Sequence, residues 1–181
     1  MEEHHKVWVA FRSGDKQAFS DLYFTFYRPL YQYGLKLVQQ EELVKDALQD
    51  FYLHLFENRA NLADRVQNVR SYLLIAFRRR LMRAVQQRKT ERDQQDEYST
   101  SDLFVISTEE IVMEQEAKAR DKAQVAQLLN SLPPRQREIL YLKYYMNLSL
   151  PEIAEALAIS YQVVANHLYR AHVKLKERVL S

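Results

Sequence analysis

Gln162, Asn166 and Arg170 stand four residues apart near the end of the chain. Each amide can pair bidentately with adenine, and the arginine with guanine or a phosphate. At the helical period, Val164, Leu168, Ala171, Leu175 and Val179 form a narrow apolar stripe, and the three polar residues lie away from it. A second set is Tyr72, Arg79, Arg80 and Arg83, in a stretch (residues 78–92) holding seven Lys/Arg and one acid. An exposed aromatic among arginines suits unstacked bases and phosphates. A solvated basic face, with Tyr72 packed on a neighbouring helix, is the alternative. A third set is Glu41, Glu42, Lys45, Asp46, Gln49, Asp50 and Glu57. Carboxylates four apart can hold a metal or move protons, but His54 is alone among them and no ligand set accompanies it. That leaves a solvated face or one that docks a protein. His167 and His172 are five apart and do not share a helical face. No metal, cofactor or catalytic group is expected.

Helices must position these residues. Between Glu41 and Asn58 the apolar residues Leu43, Val44, Ala47, Leu48, Phe51, Tyr52, Leu55 and Phe56 make one wide stripe over four turns. Residues 15–39 carry a similar stripe, capped by Asp15, with Ser13-Gly14 ending a short helix before it. Pro29 should kink or split that helix. The aromatics Phe19, Tyr23, Phe26, Tyr27 and Tyr31 read as core. Residues 59–68 read as a polar loop, and a helix follows over 69–88 with Leu74, Phe77, Leu81 and Val85 inward. Ser107 and Glu110 have capping-box spacing, which predicts a helix from there to about Asn130. Pro134 opens a helix to about Tyr145. Ser149-Leu150-Pro151-Glu152 is a second capping box, starting a short helix to Leu157. After the turn at Ala158-Ile159, Ser160 caps a last helix to Val179. A short helix, a tight turn and a longer helix make the helix-turn-helix pattern, the alternative being an ordinary helical hairpin with a solvated polar face.

The rest of the composition excludes other classes. With two glycines and four prolines in 181 residues, a β-sandwich or a Rossmann sheet lacks its turns, and no phosphate-cradling glycine loop is possible. With no cysteine there is no disulfide framework and no thiolate site. The longest apolar runs, such as Tyr72 to Phe77, are too short to span a bilayer, and the first residues lack a signal-peptide pattern. A soluble, cytoplasmic protein is expected. The net charge of +2 conceals a pattern: residues 1–92 carry +5, residues 93–130 carry −6 and residues 131–181 carry +3. Two basic parts suit a polyanion partner, with ordinary surface charge as the alternative. The polar acidic stretch 93–108 reads as a flexible linker between domains 1–92 and 109–181.

Together these features resemble the extracytoplasmic-function (ECF) group of bacterial sigma factors, over nearly the whole chain. Gly14-Asp15 followed by Ala18-Phe19 and Leu22-Tyr23 is similar to that family's region 2. Asp46-Ala47-Leu48-Gln49-Asp50-Phe51-Tyr52-Leu53 resembles its D-x-x-Q-[DE]-[VF]-F-L stretch, and Ser71-Tyr72-Leu73 the [ST]-W-L opening of its promoter-melting helix. Leu132-Pro133-Pro134-Arg135-Gln136-Arg137-Glu138 and Pro151-Glu152-Ile153-Ala154 resemble region 4.

The resemblance implies an all-α fold of two small lobes and a non-enzymatic initiation factor. Region 2 would bind the clamp helices of the core RNA polymerase β′ subunit through Asp46, Gln49, Asp50 and Leu53. It would read and melt the −10 element of promoter DNA through Arg70, Ser71, Tyr72, Arg79, Arg80 and Arg83. Region 4 would bind the β flap and read the −35 element through Ser160, Tyr161, Gln162, Val163, Asn166, His167 and Arg170. Many such proteins are held by an anti-sigma factor, which adds a further partner class; no membrane insertion is implied. The chain departs from the family at Arg79, where Asn is frequent. It departs again at Val163, Ala165 and His167, where Thr, Lys and Arg are usual, and at Ala158, where the turn usually has Gly. The other reading of the residues is a helix-turn-helix regulator that binds duplex DNA without polymerase.

Overall fold

The computed structural model describes residues 2–64, 66–91, 104–108 and 119–179. The described residues are helical, without a strand: α1 (Glu2–Arg12), α2 (Lys16–Val38), α3 (Glu41–Glu57), α4 (Val69–Glu91), α5 (Ala119–Asn130), α6 (Pro134–Leu140), α7 (Leu150–Leu157) and α8 (Tyr161–Val179). The chain divides into two compact units, residues 1–96 and 97–181.

In the first unit, α1 to α4 pack around Trp8, Phe11, Leu22, Phe26, Leu48, Leu74, Phe77 and Leu81, all buried. The α1–α2 corner is set locally. Gly14 takes φ +96°, a left-handed value, and the Asp15 carboxylate accepts from the Gln17 and Ala18 amides at 2.7 and 3.1 Å. Of the expected kink or split at Pro29, the split does not occur: helix α2 continues through the proline. The proline removes the bond to the Thr25 carbonyl, but Thr25 is exposed, so water can take that place. Phe26, Leu30 and Tyr33 are buried on both sides of the proline and anchor both halves of the helix in the core. Helix α3 buries Leu43, Val44, Ala47, Leu48, Phe51, Tyr52 and Leu55 and leaves its polar side outward. The segment after it holds a 3-10 turn, Arg59–Asn61. The Trp8 Nε1 donates to the Ala63 carbonyl at 3.1 Å, and Arg12 pairs with Asp64.

Of the early aromatics, Phe26 is core, whereas Phe19, Tyr23, Tyr27 and Tyr31 are half-buried. Tyr23, Tyr27 and Tyr31 form a ladder beside Tyr52, whose phenol is pushed up in pKa by burial.

In the second unit, Leu132, Leu140 and Ala171 form a core with Leu129, Leu168 and Leu175 against it. The helix expected over 134–145 keeps α-helical bonding only to Leu140. Tyr141–Tyr145 then form a wider π-helical turn, closed by the Met146 amide on the Tyr141 carbonyl at 3.0 Å. The rings of Tyr141 and Tyr145 stack at 4.7 Å. Residues 93–103 of the expected linker, and the expected helix start at Glu110, lie outside the described residues. Residues 104–108 depart from a free linker. Phe104 and Ile106 are buried, Phe104 edge-on to Tyr141 at 5.4 Å. The Asn130 side chain brackets Ile106, accepting from its amide at 2.9 Å and donating to its carbonyl at 2.8 Å. Two apolar side chains spaced by two and a paired backbone are enough to tie this end of the segment to the lobe.

Candidate nucleic-acid interface

Helix α8 is set by the turn before it. The Ser149–Glu152 capping box starts α7, with the Glu152 carboxylate accepting from the Ser149 amide at 2.7 Å. The end of α7 is a Schellman turn: the Ile159 amide reaches the Ala154 carbonyl at 3.1 Å and the Ala158 amide the Glu155 carbonyl at 3.3 Å. Ala158 takes φ +52° there, the left-handed value that favours glycine. The Ser160 Oγ then accepts from the Val163 amide at 3.3 Å and begins α8.

Helix α8 buries Val164 and Ala171 and partly buries Leu168 and Leu175. The side chain of Val179 lies outside the described residues. Ser160, Tyr161, Gln162, Val163, Asn166 and Arg170 are all exposed. Gln162 Nε2 donates to Asn166 Oδ1 at 3.0 Å, so the two amides are aligned before any ligand arrives. That leaves a carbonyl on Gln162 and an NH2 on Asn166 for a base edge. His167 differs from its expected role as a surface contact. It is half-buried, and its Nδ1 is enclosed without a hydrogen-bond partner. Burial pushes its pKa down, and the charges of Arg135 and Arg170 push the same way, which favours a neutral imidazole.

One residue on this face was missed. Tyr169 is 70% exposed and lies three residues after Asn166 and seven after Gln162, on the same side of α8. The i, i+4, i+7 ladder starting at Gln162 was the available signal.

The basic helix α4 divides the expected set. Leu74, Phe77 and Leu81 face the core, Val85 is half-buried, and Arg79 and Arg83 are exposed. Arg70 and Arg80 are half-buried, and Arg80 Nη1 donates to the Asp50 carbonyl at 3.2 Å. Ser71 does not offer a surface contact. It is buried, its amide donates to Asn68 Oδ1 at 3.3 Å, and its hydroxyl donates to the Asn68 carbonyl at 3.0 Å. It serves the start of α4, where side-chain oxygens satisfy free backbone groups. Tyr72 is half-buried and meets Trp8 edge-on at 5.1 Å, so it is not the freely exposed ring expected. Burial raises its pKa, with Arg12 opposing.

On α3, Asp46, Gln49, Asp50 and Leu53 are all exposed and form one ridge at i, i+3, i+4 and i+7. Leu53 is 55% exposed, an apolar point among carboxylates. Asp46 pairs with Arg88 at 3.3 Å, a surface contact of small energetic weight. Phe24 on α2, 80% exposed, is a second apolar point that the sequence did not suggest. Among the described residues, no three His, Cys, Asp or Glu side chains gather as a metal site, and no helix is long and apolar enough to cross a membrane.

A family model described as sigma-70, region 4 matches residues 122–175, the span of α5 to α8 apart from its ends. The chain is 28% identical over 157 residues to RNA polymerase sigma factor SigZ of Bacillus subtilis (strain 168), covering 87% of this chain and 84% of that one. Its fold is similar to CnrH, solved in complex with the cytosolic domain of CnrY, at a TM-score of 0.58 and 21% identity over 97% of this chain and 96% of that one. It is also similar to sigma factor RpoE, solved with the anti-sigma factor NepR from Bartonella quintana, at a TM-score of 0.59 and 18% identity over 88% and 94% of the two chains. The helix-turn-helix carries the region 4 match, SigZ extends the likeness over most of the chain, and both solved neighbours share its fold; the chain is similar to a sigma-70 factor, in region 4 by the family model and beyond it by SigZ.

Proposed function

We propose that this chain directs core RNA polymerase to promoters and supports strand opening there, by binding rather than by chemistry. The observation that carries the reading is the pairing, in one chain, of a helix-turn-helix that matches sigma-70 region 4 with a second helical unit bearing an exposed Asp46–Leu53 ridge. A regulator acting on duplex DNA alone has no use for that ridge. In this reading Asp46, Gln49, Asp50 and Leu53 dock the clamp helices of β′. Arg79 and Arg83, with Tyr72 beside them, hold the melted −10 strand. Gln162, Asn166, Tyr169 and Arg170 read the −35 duplex in the major groove, and the lobe around them meets the β flap. Ser71 and His167 act by shaping their helices. The protein works in the cytoplasm, where polymerase and promoter are, and is open to control by an anti-sigma factor, the kind of partner present in the RpoE–NepR structure.

The test is reconstitution with core polymerase from the same organism on a genomic promoter library. Transcripts starting from one class of promoter, absent without this chain, are expected. Duplex binding without capture of core polymerase in a pull-down would replace the reading with that of a plain regulator.

A further inference from the structure

We propose that Arg135 and Glu138 are a positioning pair for the recognition helix, an ion pair inside the lobe that fixes the α7–α8 turn and so sets how Gln162 and Asn166 meet the duplex. The inference rests on the reading of α8 as the duplex-binding helix.

Glu138 is 0% exposed. A carboxylate in that position needs a charged or hydrogen-bonding partner, since an isolated buried charge is very costly. It accepts from Arg135 Nη1 at 2.8 Å, one turn earlier on α6. The other terminal nitrogen of Arg135 reaches out of α6: Nη2 donates to the Leu157 carbonyl at 3.4 Å, a long bond. Leu157 is the last residue of α7, and Ala158 follows it in the left-handed region. The Schellman bonds satisfy the Ala154 and Glu155 carbonyls. The Leu157 carbonyl lies beyond them, at the point where the chain turns into α8, and Arg135 takes it. The His167 imidazole on α8 also lies close enough to Arg135 for the guanidinium charge to lower its pKa. A single guanidinium therefore connects Glu138 on α6 with the end of α7, at the turn that leads into α8.

The chemistry suits placement better than stability. With Glu138 fully buried and Arg135 partly so, the pair gains little over apolar residues of equal volume, because desolvation of the carboxylate cancels most of the attraction. Its geometry, however, is directional. The planar fork of arginine can serve Glu138 with one nitrogen and Leu157 with the other, which a lysine ammonium does not reproduce. The strained Ala158 makes such an external hold useful, because its own φ does not favour the turn.

The test uses the full chain and the duplex identified by reconstitution, beside a duplex altered at the base pairs that Asn166 discriminates. Affinity for both is measured across salt, with thermal melting of each variant. Arg135→Lys is expected to lower the ratio of the two affinities about tenfold, with an unchanged salt slope. Arg135→Met with Glu138→Leu is expected to melt at or above the parent temperature and still lose the ratio, an effect that a merely structural pair would not show. If the double variant does not fold, Arg135→Lys alone decides. A parental ratio in either folded variant overturns the proposal. An equal loss on both duplexes, with the salt slope reduced by about one, also overturns it, since Arg135 would then contact a phosphate itself. Asn166→Ala is the control: if it leaves the ratio unchanged, the assignment of α8 fails, and not the pair.

Discussion

Replacing Ala158 by glycine is expected to stabilise the C-terminal lobe. Ala158 has φ +52° and ψ 43° and is exposed, so removing its methyl group relieves strain without loss of packing. A non-glycine residue in this region costs about 1–2 kcal/mol. Glycine returns part of that through its greater freedom in the unfolded chain, about 0.4–1 kcal/mol. The net gain is about 0.5–1 kcal/mol, or a rise of about 2–8 °C in melting temperature for a lobe of this size. The two lobes can be followed separately. The chain's single tryptophan, Trp8, is buried in the N-terminal unit, so its fluorescence reports that unit alone, while far-ultraviolet circular dichroism reports both. Ala158→Gly should raise the dichroism transition of the C-terminal lobe and leave the Trp8 transition in place. Ala158→Val, β-branched at a positive φ, should lower the former. A glycine variant that melts at or below the parent temperature would show that the Schellman turn carries no strain at this residue, and the reasoning would fail.

Gly34→Ala should do the reverse in α2. Its new Cβ would sit 2.7 Å from Val44 Cγ1 and 3.2 Å from Phe77 Cζ, both side chains fully buried, so overpacking of about 1–3 kcal/mol outweighs a helix-propensity gain of about 1 kcal/mol, read as a lower Trp8 transition. Asp50→Lys with Gln49→Ala should weaken core polymerase capture with native circular dichroism, because both side chains are exposed; unchanged capture would move the docking site elsewhere. Gln162→Ala with Asn166→Ala should cost about 1–3 kcal/mol of duplex discrimination for each bidentate amide–base pairing removed, while Tyr72→Ala should spare the closed complex and reduce permanganate-reactive thymines in the melted strand. The lowered His167 pKa predicts a pH effect. The unfolded chain takes up that proton more readily, so stability is full above the ordinary histidine value of 6.5 and declines as pH falls through it. A melting series from pH 7.5 to about 5 should show a smaller decline in His167→Gln than in the parent.

The parts of the fold that were legible from sequence are those fixed by neighbours a few residues away. The Asp15 cap, the Ser149–Glu152 box and the stripe of α3 are local patterns, and each is present as read. Where sequence reasoning fell short, a distant partner decides. Tyr72 on α4 is covered by Trp8 of α1, more than sixty residues earlier, and no periodicity within α4 contains that fact. The local rule against proline in a helix is overridden by the buried residues flanking Pro29. Phe104 and Ile106 were obscured by the polar, acidic stretch around them, although their spacing of two already separated them from it. The Arg135–Glu138 pair was hidden for another reason. Two charged residues at i, i+3 read as an ordinary surface pair, and only the burial of Glu138 shows otherwise.

The charge on the two candidate nucleic-acid faces leads to a division of labour that can be read in salt dependence. Gln162, Asn166 and Tyr169 are neutral, and His167 is held toward its neutral form, which leaves Arg170 as the cation among these residues of α8. Each phosphate neutralised by Lys or Arg steepens the salt dependence by about 0.9 on duplex DNA, whereas amide contacts to base edges add almost nothing to it. In the proposed reading, the α8 face would contribute selectivity with a shallow slope. Helix α4 has the opposite character, with Arg79 and Arg83 exposed and few groups able to tell one base from another. In the proposed reading its contribution would be electrostatic and steep in salt. Raising the salt should thus erode the grip of α4 first and leave the preference of α8 for its sequence almost intact. Arg83→Ala should flatten the salt slope of strand binding without altering duplex preference. Gln162→Ala should reduce preference at an unchanged slope. If the two variants exchanged these effects, the assignment of charge to one lobe and base reading to the other would be reversed.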